Sequence, residues 1–479
     1  MKKLGIILAV VLLLAGVFTI VTACGTKYDL SYESWDLGTD ITPTIERKMV
    51  QEFEKLHNVK IELKEASQGN AYESGITGQI ARGDAPDVFK ITNTNFVLSN
   101  TYALDVSTYA NADEDWGNIP ASLEEAVHFK SGIYAIPFSM HMAGYFVNVT
   151  LLKENGISFP AKDKEVTWEK LYEVIAALKN ATNEAGDALL GLSQEESIIE
   201  WYPASANKNY GHFTWDGQNF HLDSEEFIAG IDVAKDIYTK RYSWDSLTET
   251  DYTTTFEGIN DGYVELWNSG RLAVRWGYTY EMPDMMEHNP SDNEIRFIGI
   301  PTVADTTRFP NARTQNYANL IGDYVSIYKD TKNPELAYEF AKWMSFDPAG
   351  IAKRIELERA DGKQVTNSIP LTSDEATLEK YFETFDAIEG VEKMFKRLDQ
   401  ATLEPTKVFP GYTKARWQAN TGLTVPTADG SSIASANMGE FLVACRQGFY
   451  DYRGYASQAN EKANAQYGET VSGYEGKYK

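Results

Sequence analysis

Between residues 45 and 56 apolar side chains recur at Ile45, Met49, Phe53 and Leu56, and steps of four, four and three lay them along one stripe of a helix. Tyr28 to Trp35 before it reads as a short strand, and Val59-Lys60-Ile61-Glu62-Leu63 after it alternates with period two. Gly69 to Ala81 reads as a second helix, broken at Gly83-Asp84-Ala85-Pro86 ahead of another strand, Asp87-Val88-Phe89-Lys90-Ile91. Strand candidates follow at Gly132 to Pro137, Ala143 to Asn148, Arg271 to Val274 and Tyr324 to Tyr328. Helices are expected from Thr167, as N-cap, to Leu178, along the stripe Phe227, Ile231, Ala234 and Ile237, and from Pro334 to Met344, stopped by Asp347-Pro348. Strands alternating with helices predict an α/β fold with a largely parallel sheet. No repeat and no low-complexity linker divides the chain, so two lobes joined by several crossings are expected.

A length of 479 residues, 43% of them hydrophobic, supplies material for packed cores and excludes a disordered tail. Against 44 basic residues stand 69 acidic ones, and the net charge of −25 repels a phosphate backbone; no nucleic acid partner is expected. The two cysteines, Cys24 and Cys445, allow one disulfide at most and no cysteine-based metal cluster. The six histidines show no i, i+4 pairing, so no metal site is indicated, and no cofactor is expected.

Lys2 and Lys3 precede a run without charge from Leu4 to Ala23, ending in Val21-Thr22-Ala23-Cys24. That ending resembles the lipobox of bacterial lipoproteins. The resemblance implies a signal peptide over residues 1–23, a diacylglycerol thioether on Cys24 and a membrane anchor with a short tether over 24–29. The alternative is an uncleaved spanning helix, since about twenty apolar residues cross a bilayer. Either way the body lies outside the cytoplasmic membrane. Cys445, next to Phe441, Leu442, Val443 and Ala444, then reads as a buried thiol without a partner.

Seven segments occurring in order resemble the extracellular solute-binding proteins of ABC importers, in the group that includes maltose-binding proteins. They are Phe53 to Ile61, Ala81-Arg82-Gly83-Asp84-Ala85-Pro86-Asp87-Val88-Phe89, Gly132 to Pro137, Tyr145-Phe146-Val147-Asn148, Thr167-Trp168-Glu169-Lys170-Leu171, Ser269 to Val274, and Asn333-Pro334-Glu335-Leu336-Ala337-Tyr338-Glu339-Phe340. The similarity spans about Tyr28 to Met344, and the last hundred residues depart most. It implies a two-lobed, type II periplasmic-binding-protein-like fold with a central ligand cleft, and hinge crossings near Ser139 to Met142 and Ala318 to Gly322. The N-terminal lobe would comprise 30–139 and about 319–368, the C-terminal lobe 140–318 and about 369–479. Such a molecule closes on its ligand by hinge motion, and an ABC permease reads the closed form.

Sugars present apolar ring faces and a belt of hydroxyls, so a site for them needs flat aromatic rings and planar polar groups. By resemblance, Trp35 and Asp36 follow the first strand at a ligand-contacting loop; the other reading of Trp35 is packing on the sheet. The loop after Phe89 carries Ile91 and Thr94 where the family has a stacking aromatic and an acid, which argues against transferring maltose as ligand. Asn93 and Asn95 are left there as hydroxyl readers or ordinary turn residues. His141 sits at the first crossing. Trp201 and Tyr202 form one candidate ring platform, and Trp276 and Tyr278 on the Trp276-Gly277-Tyr278-Thr279-Tyr280 loop a second. Asp323, beside the second crossing, either accepts sugar hydroxyls or makes a hinge ion pair. Arg275 reads as a solvated guanidinium, with pairing to an acidic sugar as the alternative.

A secreted glycoside hydrolase would share the acidity and the aromatics, but Gly-x-Ser-x-Gly, His-Glu-x-x-His and the nucleotide-binding glycine motifs are all absent. A surface adhesin or sensory co-receptor with the same cleft is a third reading, which the short tether disfavours. The expectation is therefore a monomeric, lipid-anchored receptor for an oligosaccharide or another polyhydroxylated solute, serving an ABC permease and catalysing nothing.

Overall fold

The computed structural model describes residues 28–478 apart from 68, 290–292 and 368; the leader, Cys24 and the start of its tether lie outside the described residues. Its centre is a mixed sheet of β1 (Leu30–Ser34), β2 (Ile61–Glu65), β3 (Val88–Ile91), β4 (Ile136–Asn148), β5 (Leu190–Leu192), β6 (Leu272–Tyr278), β7 (Ile295–Gly299), β8 (Asn319–Ile327) and the two-residue β9 (Thr402–Leu403). Along the sheet the order is β2-β1-β3-β8-β4-β6-β5, with β9 added to β8 and β7 to β4.

The sheet is less parallel than the alternation of elements suggested. Pairings β1–β2, β1–β3 and β5–β6 are parallel, while β8 runs antiparallel to both β3 and β4, and β6 and β7 run antiparallel to β4. The reversal arises because the chain crosses between the two halves in opposite directions. Segments read as separate strands at 132–137 and 143–148 are largely one 13-residue strand, β4. Its register against β8 pairs Ser139 with Asp323, Met140 with Gly322 and His141 with Ile321, so the two expected crossings lie side by side.

Helix α1 (Ile45–His57) begins where Thr44 accepts the Arg47 N–H, and it buries Ile45, Met49, Val50 and Phe53, the expected stripe apart from Leu56, which stays exposed. The segment 69–81 opens with one 3₁₀ turn and continues as α2 (Tyr72–Ala81). Helix α3 (Trp168–Ala177) is capped by Thr167 as expected. Then follow α4 (Glu196–Ala206), α5 (Glu225–Lys240), whose buried face includes Phe227, Ile231, Ala234 and Ile237, and α6 (Pro334–Met344). Asp347-Pro348 both ends α6 and opens α7 (Pro348–Ala360), because Asp347 accepts the Ala349 and Gly350 N–H groups and proline suits the first turn. The long terminal helix is α8 (Ala456–Glu475).

Buried apolar side chains form two clusters that meet along β4: Ile136, Phe138 and Met140 belong to one, Tyr145 and Val147 to the other. The first gathers β1, β3, α1 and α6, and takes in Ile369, Leu371, Tyr381 and Val408 from the divergent C-terminal region. The second gathers α3, α4, α5 and the buried face of 438–463. Cys445 is buried and free there. Among the described residues no helix is long and apolar enough to cross a membrane.

Candidate functional site

A strand surrounded by core has no use for a charged side chain, yet β3 carries Lys90 in its middle. The residue is 2% exposed, and its ammonium is held by Asp36 at 2.5 Å and Glu46 at 2.9 Å. It also sits over two rings, 4.5 Å from the centre of Phe138 and 5.1 Å from that of Trp35. Burial alone would lower the lysine's pKa; Glu46 and Asp36 outweigh it and raise it. Burial likewise opposes the charge on Glu46, and Lys90 with the hydroxyls of Ser34 and Tyr32 holds its carboxyl below the usual range. The pair is therefore fully ionised, and it fixes the loop that bears Trp35 and Asp36.

That loop forms one wall of a cleft of about 780 Å³. The hinge strands make its floor. Ser139 donates to Asp323 at 3.1 Å and lies 3.2 Å from His141 Nε2, and Lys407 pairs with Asp323 at 2.7 Å. Burial would raise the Asp323 pKa, but Lys407 and the neighbouring His141 and Lys90 push it far down. Burial drives His141 the other way, to about 4, so its imidazole is neutral; Nδ1 is buried without a hydrogen-bond partner. Tyr280 stands edge-on to His141 with ring centres 5.3 Å apart and stacks on Tyr278 at 5.0 Å and 10°. The remaining wall comes from α7 and the turn after it, with Arg354, Glu358, Asp361 and Lys363.

Trp35, Asp36, His141 and Asp323 line this cleft, four of the ten contacts expected from the sequence. The others lie elsewhere. Asn93 accepts the Phe96 N–H as N-cap of the helix Thr94–Asn100 and donates to Glu73, and Asn95 accepts from Gly411 N. Trp201 has no exposed surface; it stacks on Trp276 at 6.2 Å and 20°, and Trp276 itself is 8% exposed. Tyr202 is buried between Trp168 and Phe309. Tyr278 is partly buried behind Tyr280, and burial raises its hydroxyl to about 12. Arg275 is buried rather than solvated, and pairs with Glu281 at 2.6 Å.

Lining residues that escaped the sequence reading include Lys90, Phe138, Tyr280 and Lys407, and with them Arg354, Glu358, Asp361 and Lys363 of the far wall. Two of them left a signal. A lysine inside an apolar strand demands buried partners, and period two places Tyr280 on the side of Trp276 and Tyr278. Exposed apolar area at this mouth is concentrated on Trp35, at 38%, and Tyr280, at 42%.

A polar cleft built across two antiparallel crossings matches a known architecture. The sequence profile of the bacterial extracellular solute-binding proteins matches residues 38–351. The chain belongs to that family. Among curated relatives, a multiple sugar-binding protein of Streptococcus mutans is 23% identical over 316 residues, which is 62% of this chain and 67% of that one. Among solved structures, an ABC substrate-binding protein of Listeria monocytogenes in complex with cycloalternan superposes with a TM-score of 0.63 at 18% identity, over 92% of this chain and 98% of that one. The cyclic α-maltosyl-1,6-maltose binding protein of Arthrobacter globiformis gives 0.60 at 14%, with the same coverage. The fold is thus the two-lobed solute-binding fold.

Proposed function

We propose that this solute-binding protein captures a carbohydrate, an oligosaccharide in preference to a single sugar, by closing its two lobes, and delivers it unchanged to the permease of an ABC importer. The observation that carries the reading is the pair of exposed rings, Trp35 and Tyr280, set at a hinge-floored cleft whose nearby cations, Lys90 and Lys407, are already paired. Rings supply faces for pyranose stacking, while Asp36 and Asp323 supply acceptors for hydroxyls. Tyr278 backs Tyr280 by stacking on it, Trp201 stacks on Trp276, and Tyr202 packs on Trp168 and Phe309. Asn93 and Asn95 hold their loop in place. The sugars in complex with, or in the names of, the structural relatives agree with this assignment. A cavity of about 780 Å³ has room for more than one sugar ring.

In this reading the lobes are 30–139 with about 319–368, and 140–318 with about 369–479. The chain works as a monomer held to the outer face of the membrane by lipid on Cys24. No bond is made or broken, and no cofactor is needed.

The test is a titration of a sugar panel followed by tryptophan fluorescence or calorimetry, with the recovered ligand checked by mass. Tight binding of an intact oligosaccharide supports the receptor. Steady release of cleaved product would favour a secreted hydrolase.

A further inference from the structure

Deepening the proposed function and resting on it, we infer that the cleft is built for an acidic carbohydrate, a uronate-bearing oligosaccharide whose carboxylate sits at the wall formed by α7 and the following turn.

The inference starts from how charge is distributed in the cleft. Toward Trp35 and the hinge every cation is spent: Lys90 on Asp36 and Glu46, Lys407 on Asp323. The α7 wall differs. Asp361 is taken by Lys48, a residue outside the lining, at 2.5 and 2.6 Å. Glu358 is 1% exposed, one of its oxygens accepts from Thr366 at 2.8 Å, and the other has no hydrogen-bond partner. Burial raises its pKa above the ordinary carboxylate value, against the opposing charges of Arg354 and Lys363. Lys363 approaches Glu358 only at 3.8 Å. Arg354 gives one N–H to the Met344 carbonyl at 3.0 Å, and among the described residues no carboxylate oxygen is recorded within ion-pair distance of its guanidinium. Two cations, Arg354 and Lys363, thus face the cleft and share the single buried carboxylate of Glu358.

In a chain of net charge −25 such a surplus at one end of a binding cleft needs a reason. A planar guanidinium beside a lysine is suited to a carboxylate, which accepts two N–H bonds in one plane, whereas a neutral hydroxyl leaves most of that charge unanswered. The acidic exterior makes the point sharper. An anionic sugar is repelled by the surface at large, so its binding depends on a local positive end within the cleft. The ring platforms at Trp35 and Tyr280 stay available for the neutral part of the chain.

The experiment is calorimetric titration of the protein with neutral oligosaccharides (maltotriose, cellotriose, xylotriose) and acidic ones (trigalacturonate, trimannuronate, a glucuronoxylan aldotetrauronate), at low and at high NaCl. The tightest ligand should be acidic, and salt should weaken it while leaving neutral sugars little affected. K363Q should cost the acidic ligand about tenfold, the worth of one charge-assisted contact, and flatten its salt dependence. R354Q should cost at least as much. Because Arg354 also holds the end of α6 and Lys363 lies 3.8 Å from buried Glu358, melting curves are recorded for both variants, and K363Q, which leaves the Met344 contact in place, serves as the independent one. A neutral sugar as the tightest ligand, or an acidic preference untouched by K363Q and by R354Q of unchanged melting temperature, overturns the inference while the receptor reading stands. Binding of no sugar in either set sinks both.

Discussion

Replacing Lys90 with Met isolates the strongest electrostatic element of the site. The change keeps an apolar stem of similar length between Trp35 and Phe138 but strands Glu46, 5% exposed, without its cation. Removing one partner of a buried pair costs about 3–5 kcal/mol. Protonation sets a ceiling on that loss: neutralising a carboxyl of ordinary pKa near 4.3 at pH 7 costs about 2.7 units of 1.36 kcal/mol, or about 3.7 kcal/mol. The sign of the pH dependence follows. In the wild type the folded Glu46 pKa lies below the unfolded one, so its stabilisation is complete above the unfolded pKa and is lost only as pH falls through the folded value. In the variant, burial without Lys90 raises the folded pKa, and the folded state then holds a proton that the unfolded state has released. The deficit should therefore shrink by about 1.4 kcal/mol for each unit of pH lowered from 7 toward 4.3. Urea unfolding followed by far-ultraviolet circular dichroism at three pH values measures it, and K90M/E46Q, which removes the stranded charge, should recover most of the loss. A deficit under about 1 kcal/mol, or one flat between pH 5 and 7, would refute the account of Glu46 as a carboxylate that Lys90 keeps ionised.

Trp35→Ala and Tyr280→Ala should each weaken sugar binding by about 1–3 kcal/mol, roughly five- to 150-fold, in the calorimetric titration, with a smaller loss of stability than at a fully buried ring because about two-fifths of each is already exposed. Trp201→Ala should instead cost about 3–5 kcal/mol of stability in urea, since it empties a fully buried volume. Burial holds the folded His141 pKa, at about 4, below its unfolded value near 6.5, so stability should fall as pH drops between those limits, by up to about 3 kcal/mol, while H141N removes that slope. Gly144→Ala would place a Cβ 2.7 Å from the Gly299 Cα, where β4 and β7 press backbone on backbone; a loss of about 1–3 kcal/mol in urea is expected.

Elements whose periodicity is set by one buried face were legible before the structure. Ile45, Met49 and Phe53 of α1 and the stripe of α5 are buried as read, because helix period and burial are the same fact seen twice. Ring placement was another matter. Trp201 and Tyr280 are both large aromatics beside strong family segments, yet one is fully buried and the other stands at the cleft mouth, and the difference is decided by the depth of Trp276 between them and by the α4 helix that carries Trp201 inward. Asp323 could be read either as a hydroxyl acceptor or as half of a hinge pair because its partner, Lys407, is 84 residues away in the divergent region. Pairings of that separation leave no local trace. Arg275 was misjudged for a related reason: Glu281 lies only six residues on, but the tight turn at Thr279–Glu281 that folds it back is not visible in strand periodicity.

The divergent C-terminal region reaches both clusters and the strands between them. After β9 adds to the hinge strand β8, residues 404–412 run beside the crossings, where Lys407 reaches Asp323, the Val408 carbonyl accepts from Thr94 and Gly411 donates to Asn95. Helix α8 is fixed to the second cluster by Asn460 and Asn464, which hold the backbone of Leu222 and Phe220, and by Tyr467 against Trp215. Its far end leaves that cluster. Tyr478 packs on Phe129 and Tyr134 and donates to the Leu98 carbonyl at 2.6 Å, and Lys477 donates to that of Ser99. Rotation about β4 and β8 can preserve the ladder between them, but it cannot leave every one of these tail contacts in place. A hinge strand resists only by torsion, whereas side-chain contacts made across lobes are gained or lost whole. In the proposed reading, in which the lobes rotate about β4 and β8, these tail contacts, far in sequence from the cleft, contribute to the free-energy difference that a ligand must exceed to shift the population.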